Sequence, residues 1–494
     1  MPMNHSGDLM QALVAKLYSI LTGDDDAIKT PRNKFVSWFL PGVPFDTGDF
    51  KYCAKGFVGE TAEEIQELYH QAFVLSKLFD YIPDVSNQFV TDQMQQTMYA
   101  GTQDTISSVY NDVLKYSRVV HKDLSDKEKE KLQKFRDLLT IEVEEVDILT
   151  DEKKKVSKPG KLTVAYNDFM NRYFEAVNQY QNLKIDAMAA SGDSPEAKRR
   201  VLDFTNKGPN YIIRLNSAWA DWGAMGYRDE YNTITAYINQ VTQRNLVLYK
   251  ADLENKFRSA KLSSPTDGAF YYTTVLPGHF ATSAGWTRFT FIEQDGETHY
   301  KKKTSEVKVD ASLNFGLFSV GPSGGGSKIK VNEDAKSENF SAEFEFTQVP
   351  ICRPWFEPGF FSMRSWTLDD NWNLSYDNKP VSEKDQDGKR FGRLVAYPVS
   401  ALFVRNVRLT SSNMSQHADY VKTSIQAGGS VGYGPFRLGG SYKSGKEERN
   451  TNFHMDADTL SIDGMQLVGF INNYIPKCPN LHPDIKPEDL VGGD

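Results

Sequence analysis

The sequence predicts an α+β protein: an N-terminal elongated helical bundle over 1–262, then a duplicated antiparallel β-sandwich-like region over 269–480. Three observations predict it. The first half carries apolar residues at three- and four-residue steps between Gly/Pro breaks, the helical period. The second half alternates apolar and polar residues, as over 306–315 and 340–346, so that successive side chains point to opposite faces of a sheet. Two segments, 304–330 and 422–448, also align without a gap at an offset of 118, with Gly316 on Gly434, Phe318 on Phe436, Gly321 on Gly439 and Lys328 on Lys446. Self-similarity of this kind marks an internal repeat.

Leu9, Met10, Leu13, Val14, Leu17, Ile20 and Leu21 form the first apolar stripe, with Asp8 near its start and Gly23 past its end. This helix reads either as a docked core helix or as a membrane- or partner-seeking segment with Leu13 and Leu17 as contacts. Its single cation, Lys16, favours the core, because surface-binding helices carry more. The aromatic stretch 35–45 is broken by prolines and is expected to lie across the helices as an apolar strap. Further helices are expected from Thr61 to about Asp80, over 86–119, from Ser125 towards Ile148, over 162–190 and over 227–258. Ser194-Pro195 supplies a helix start, and Gly208-Pro209 is expected to break the chain. The last helix makes a rod of about 45 Å at about 1.5 Å per residue. Tyrosine, Gln and Asn line these stripes, which suggests a seam that opens or is shared between chains more easily than one of leucine; the alternative is a stable monomeric bundle.

Residues 263–268, Ser-Ser-Pro-Thr-Asp-Gly, read as the linker between halves. Strands follow at 270–276 and 286–292. After Phe315 the apolar phase flips, which a two-residue type II′ turn at Gly316-Leu317 explains; a bulge at the glycine is the alternative. In the second copy the turn is Gly434-Pro435, with Tyr433 facing Phe436 and Val431 facing Leu438. Phe315, Phe318, Tyr433 and Phe436 then share the apolar side of two hairpins. Such hairpins suit a sandwich with its Ser/Gly side wet, or a membrane-inserting ribbon, since a spanning strand needs about 9–11 alternating residues. Arg353 with Trp355 and Trp366 makes either a ligand site for cations or rings or a core plug between the repeats. Strands resume over 394–407, and 481–494 is expected as a loose tail.

The net charge of −8 argues against nucleic acid as a partner, because phosphate binding wants a basic face. Three cysteines, Cys53, Cys352 and Cys478, give neither a disulfide framework nor metal-ligand spacing. They read as buried thiols first, with a Cys352–Cys478 disulfide second. The lysine groups at 153–155 and 301–303 read as solvated loops. The segment 440–446 has phosphate-loop spacing, yet Glu447 replaces the required Ser or Thr and a strand pattern follows. The eight histidines form no His-Glu-x-x-His. No catalytic residue, cofactor or metal is expected. The chain begins without a basic start and apolar run and lacks a window of about 20 apolar residues, so synthesis as a soluble cytoplasmic protein is expected, with release by a non-classical route. The functional expectation is a non-enzymatic, pore-forming-toxin-like protein, soluble before it meets a lipid membrane. The alternative is a structural or self-assembling protein with homo-oligomeric or other protein partners.

Overall fold

A computed structural model of the chain describes residues 6–22, 34–86, 89–91, 104–121, 126–146, 153–189, 194–295, 317–323, 326–331, 339–412, 414–426, 430–444, 447–451 and 453–492. It mixes helices with antiparallel sheets, the α+β class expected. The helices used below are α1 (Ser6–Thr22), α2 (Ala62–Phe79), α3 (Ile106–Tyr116), α4 (Asp126–Leu139), α5 (Lys161–Ala189), α6 (Pro195–Ala224), α7 (Arg228–Arg244), α8 (Leu246–Ser259) and α9 (Met414–Gln426). The strands of the two large sheets are β1 (Lys34–Phe45), β2 (Phe89–Thr91), β3 (Thr274–Val275), β4 (Thr287–Ile292), β5 (Leu317–Ser323), β6 (Gly326–Val331), β7 (Ser341–Cys352), β8 (Ala396–Thr410), β9 (Ser430–Tyr433), β10 (Phe436–Ser444), β11 (Glu447–Thr451), β12 (Phe453–Asp456) and β13 (Thr459–Tyr474).

The main sheet runs β2-β1-β13-β8-β7, with β3 and β4 both on the outer side of β7 and β12 against β13. Every pairing in it is antiparallel except β1 with β2. The stretch 35–45 is therefore no strap: Lys34 pairs with Asn473 and Phe45 with Met465, inside the sheet. Its near-continuous apolar run is what a strand covered on both faces looks like, and such a run shows no alternation. Pro41 and Gly42 sit where the β1–β13 register slips between Trp38 and Val43, so neither interrupts a regular ladder.

The expected boundary near 262 is not a boundary in space. Residues 263–268 turn a hairpin between Lys261–Ser264 and Gly268–Tyr271. Each large apolar core draws on both halves. One joins Leu9, Leu13 and Trp38 to Phe344, Val404 and Phe436. A second joins Phe39, Leu75 and Phe79 to Phe403 and Phe470. A third joins Tyr110 and Phe257 to Trp355, Phe361 and Trp366. The tail is docked as well, since Leu490 and Val491 pair with Val120 and Val119 of the strand Ser117–Val120.

Several helices end earlier than periodicity suggests. Thr61 caps α2 as expected, accepting from the Glu64 N–H. Within the span 86–119 expected as one helix, Phe89–Thr91 is a strand and α3 covers Ile106–Tyr116, capped by Thr105, while 92–103 lie outside the described residues. The helix from Ser125 gives way after Leu139 to the strand Thr140–Val146, whose partner Lys153–Pro159 places the 153–155 lysines in a ribbon rather than a loop. The long rod over 227–258 is two helices, because Asn245 leaves helical geometry and caps α8 through the Leu248 N–H. Conversely, α6 runs straight through Gly208-Pro209. Pro209 and Thr205, whose carbonyl loses that N–H partner, are both exposed residues.

Both repeat segments lie in one sheet, ordered β6-β5-β9-β10-β11. The β5–β6 and β10–β11 hairpins flank β9, and Leu317 pairs with Tyr433 and Val320 with Ser430. Residues 306–316, with Phe315 and Gly316 of the expected first turn, lie outside the described residues, as do 301–303; Leu317, expected in that turn, is the first residue of β5 and pairs with Tyr433. Phe318 pairs through its backbone with Val331 and Gly432; its side chain is likewise outside what is described. The second turn forms at Gly434-Pro435, with Gly434 at φ +56°, the left-handed region a type II′ turn demands. Tyr433 opposes Phe436 as expected, but Val431 pairs with Gly439, because the register shifts between Val431 and Gly432 and displaces Leu438.

Candidate functional site

The two amphipathic elements singled out by the sequence meet. Met10 of α1 packs on the turn of the second hairpin, so closely that a Cβ on Gly434 would stand 2.8 Å from the Met10 Sδ. Glycine is required there twice, for φ and for this approach. Leu13, Leu17, Tyr433 and Phe436 are all buried, in one core with Phe344 and Phe340 of the main sheet. Phe344 meets Phe436 edge-on at 5.3 Å between ring centres. The hairpin's other side is covered too: Ser430 is buried, and the Ile425 side chain of α9 crowds Gly439. The expected wet Ser/Gly face is thus absent from β9, and Ser430 is not a surface position.

A buried polar knot ties this hairpin to the main sheet. The Arg437 backbone N–H donates to Gln466 Oε1, and Gln466 Nε2 donates back to the Arg437 carbonyl, both at 2.8 Å. One side-chain amide thereby mimics a strand neighbour. The Arg437 Nε donates to the Gly42 carbonyl at 2.8 Å, and Gly42 N–H donates to the Pro435 carbonyl at 2.9 Å. Lys16, buried in α1, donates to Asp295 at 3.1 Å and to the Thr290 carbonyl at 3.0 Å. Burial lowers its pKa, an effect the Asp295 charge opposes.

Arg353, Trp355 and Trp366 are core residues. The Trp355 indole N–H donates to the Tyr272 carbonyl and that of Trp366 to the Phe360 carbonyl, so both rings are satisfied internally. Arg353 donates to the Pro398 carbonyl at 2.7 Å and to the Phe79 carbonyl at 2.6 Å, capping the end of α2. Burial brings its pKa down to about 10 against the raising influence of Asp80. Asp80 in turn accepts from the Ser107 N–H at 2.7 Å and hydroxyl at 2.5 Å, at the start of α3. Burial raises its carboxyl, with the Ser107 bonds pulling the other way. A cavity of about 60 Å³ opens beside Asp80, lined by Ser76, Lys77, Ser107, Phe270 and Tyr271, large enough to admit water.

Ser264, His70 and Asp267 have the residue types of a hydrolytic triad but not its geometry. His70 Nδ1 lies 2.8 Å from Asp267 Oδ2, while the Ser264 and Thr266 hydroxyls donate to that same oxygen at 2.7 Å. The serine is engaged by the carboxylate instead of the imidazole. Among the described residues no three His, Cys, Asp or Glu side chains gather as a metal site, and no helix is long and apolar enough to cross a membrane. The three cysteines are free, which removes the Cys352–Cys478 disulfide. The segment 440–444 is strand, turning back into β11, so the phosphate-loop spacing sits on a hairpin.

Sequence periodicity missed the exposed apolar surface. It lies on the α5–α6 helical pair, at Val164, Phe174, Val201, Leu202, Ile212, Ile213 and Trp219. No described side chain of α5 is buried, and α6 buries only Ala197, Gly208 and Trp222. The pair is held by rings, Tyr173 stacking on Trp222 at 5.5 Å and Tyr166 on Tyr231 of α7 at 3.8 Å. The signal was present in the sequence as two apolar stripes on α6, of which one stripe suffices to pack on a neighbour.

Compared with known protein families, curated proteins and solved structures, the chain matches none.

Proposed function

We propose that this chain is a non-enzymatic, membrane-interacting protein of pore-forming-toxin type, soluble before contact, whose inserting elements are α1 and the β9–β10 hairpin. The observation that carries the reading is their shared burial: α1 and the hairpin turn cover each other and together cap one face of the main sheet. In that arrangement their apolar residues are kept from water until a lipid phase competes for them. The polar knot at Arg437 and the Lys16–Asp295 pair hold the layer in register and would have to open on insertion. The reading is tested by hydrogen exchange of the full chain with and without vesicles, alongside dye release. Leakage together with lost protection at 9–17 and 431–438 supports it. Unchanged protection and intact vesicles, across several lipid compositions, sink it.

The second reading, self-assembly, draws on the ribbon Thr140–Val146/Lys153–Pro159, which forms a two-stranded sheet of its own. Unpaired strand edges are templates for another chain. Concentration-dependent assembly in sedimentation experiments without lipid would favour it.

A further inference from the structure

We propose that the outer face of α6 is a docking surface for an anionic phospholipid bilayer, on which the α5–α6 pair lies flat. This rests on the membrane reading above and names the surface that makes first contact. The argument begins with the helix's three faces. Phe204, Gly208, Tyr211, Leu215, Ala218 and Trp222 recur at three- and four-residue steps and are the inward stripe. Arg199, Asp203, Lys207, Asn210, Arg214 and Asp221 form a solvated charged stripe. Between them, at about 100° per residue, Val201, Leu202, Thr205, Ile212, Ile213 and Trp219 share an arc of roughly 120° with Pro209, Asn216 and Ala220. All nine are exposed, and no charged residue from Val201 to Ala220 falls on that arc.

A face that only needed solvation would carry charge. Leu202 is 59% and Ile213 62% exposed, so most of each bulky aliphatic side chain faces solvent. An uncharged apolar arc of this width, extending over five turns and flanked by cations, is the pattern of a helix lying in a bilayer interface. Charge selects the occupant. Helix α6 holds five basic residues against three acidic ones, in a chain whose net charge is −8. The Asp203–Lys207 pair at 3.2 Å cancels within the helix and Arg200 lies 3.8 Å from Asp186 of α5, so Arg199 and Arg214 are the remaining cations of the solvated stripe. At the far end of the arc the Arg228 guanidinium lies 3.7 Å over the Trp219 ring, an aromatic and a cation together at headgroup depth. A positive, tryptophan-ended apolar helix on an acidic protein complements an anionic lipid surface better than a second copy of the same acidic chain.

The test is flotation of the full chain with vesicles of phosphatidylcholine alone and of phosphatidylcholine mixed with phosphatidylserine. Wild type is expected to float with the mixed vesicles and to remain in solution with phosphatidylcholine. Leu202→Asp and Ile213→Asp, at exposed positions that leave the melting temperature unchanged, are expected to lower partitioning by about tenfold each. Arg199→Glu with Arg214→Glu is expected to weaken it at low salt. Equal flotation of the aspartate variants overturns the proposal, as does a wild type that floats with neither vesicle. A dimer that Ile213→Asp converts to monomer, without vesicle binding, assigns the face to a second copy instead. Binding without leakage keeps this surface and sinks the pore-forming reading; leakage undiminished in the aspartate variants does the reverse.

Discussion

The β9–β10 hairpin and helix α6 carry comparable amphipathic patterns and meet opposite fates. In the hairpin every residue from Ser430 to Gly439 is buried, beneath the main sheet, α1 and α9. On α6 one stripe is covered by the neighbouring helices and a second faces solvent. The difference teaches that periodicity reports which residues share a face, while the number of elements stacked around that face decides whether it is covered.

This comparison can be broken first at Phe436. Phe436→Ala removes a fully buried ring packed on Phe344, and a loss of about 3–5 kcal/mol in urea unfolding is expected. A cost below about 1 kcal/mol would mean that the hairpin layer is not part of the cooperative core. Gly434→Val comes next. It forces a branched side chain to positive φ and drives its Cβ into Met10, for an expected loss of about 2–3 kcal/mol. Adding Met10→Ala should recover part of the loss, and an additive double variant would refute the contact.

Asp80 sharpens the contrast through pH. Its ordinary value is 3.8 and burial raises it, so the folded chain holds this proton more tightly than the unfolded chain. Its contribution to stability is therefore fully present below 3.8 and is lost as pH rises through the folded value. Asp80→Asn should gain on wild type over that window, by at most about 1.4 kcal/mol per pH unit, as read from urea midpoints across a pH series. A difference independent of pH would show that the carboxyl is not destabilised by burial. The smallest effect belongs to α6: Ile213→Ser should change stability by no more than about 0.5 kcal/mol. A larger loss in a thermal melt would mean that Ile213 is covered after all.

The sequence was informative where one local rule acts alone. Thr61, Ser194 and Gly434 were readable because a cap or a turn needs nothing beyond its own neighbours. The Tyr433–Phe436 pairing followed from the turn. Strand β1 was illegible because burial on both faces erases alternation and because its prolines occupy a register slip that only β13 defines. Asn245 and Pro209 misled in opposite directions, since an asparagine side chain can end a helix and an exposed proline can be carried within one. The Arg353–Trp355–Trp366 group was visible as a cluster of residue types, but only the carbonyls of Phe79, Pro398, Tyr272 and Phe360 reveal that its two indole N–H groups and the two terminal guanidinium nitrogens are occupied.

The placement of β1 has a consequence for biosynthesis. Lys34 finds its ladder partner at Asn473, almost at the other end of the chain. At roughly 5–20 residues per second, the ribosome completes that partner on the order of 20–90 s after β1 is made. For most of that interval the apolar segment containing Trp38, Phe39 and Leu40 has only the three-residue β2 to pair with. The main sheet closes only after most of the chain has been translated, and a high contact order makes that closure slow. Chains halted before β13 should accumulate bound to chaperones or in inclusion bodies, whatever the completed protein goes on to do.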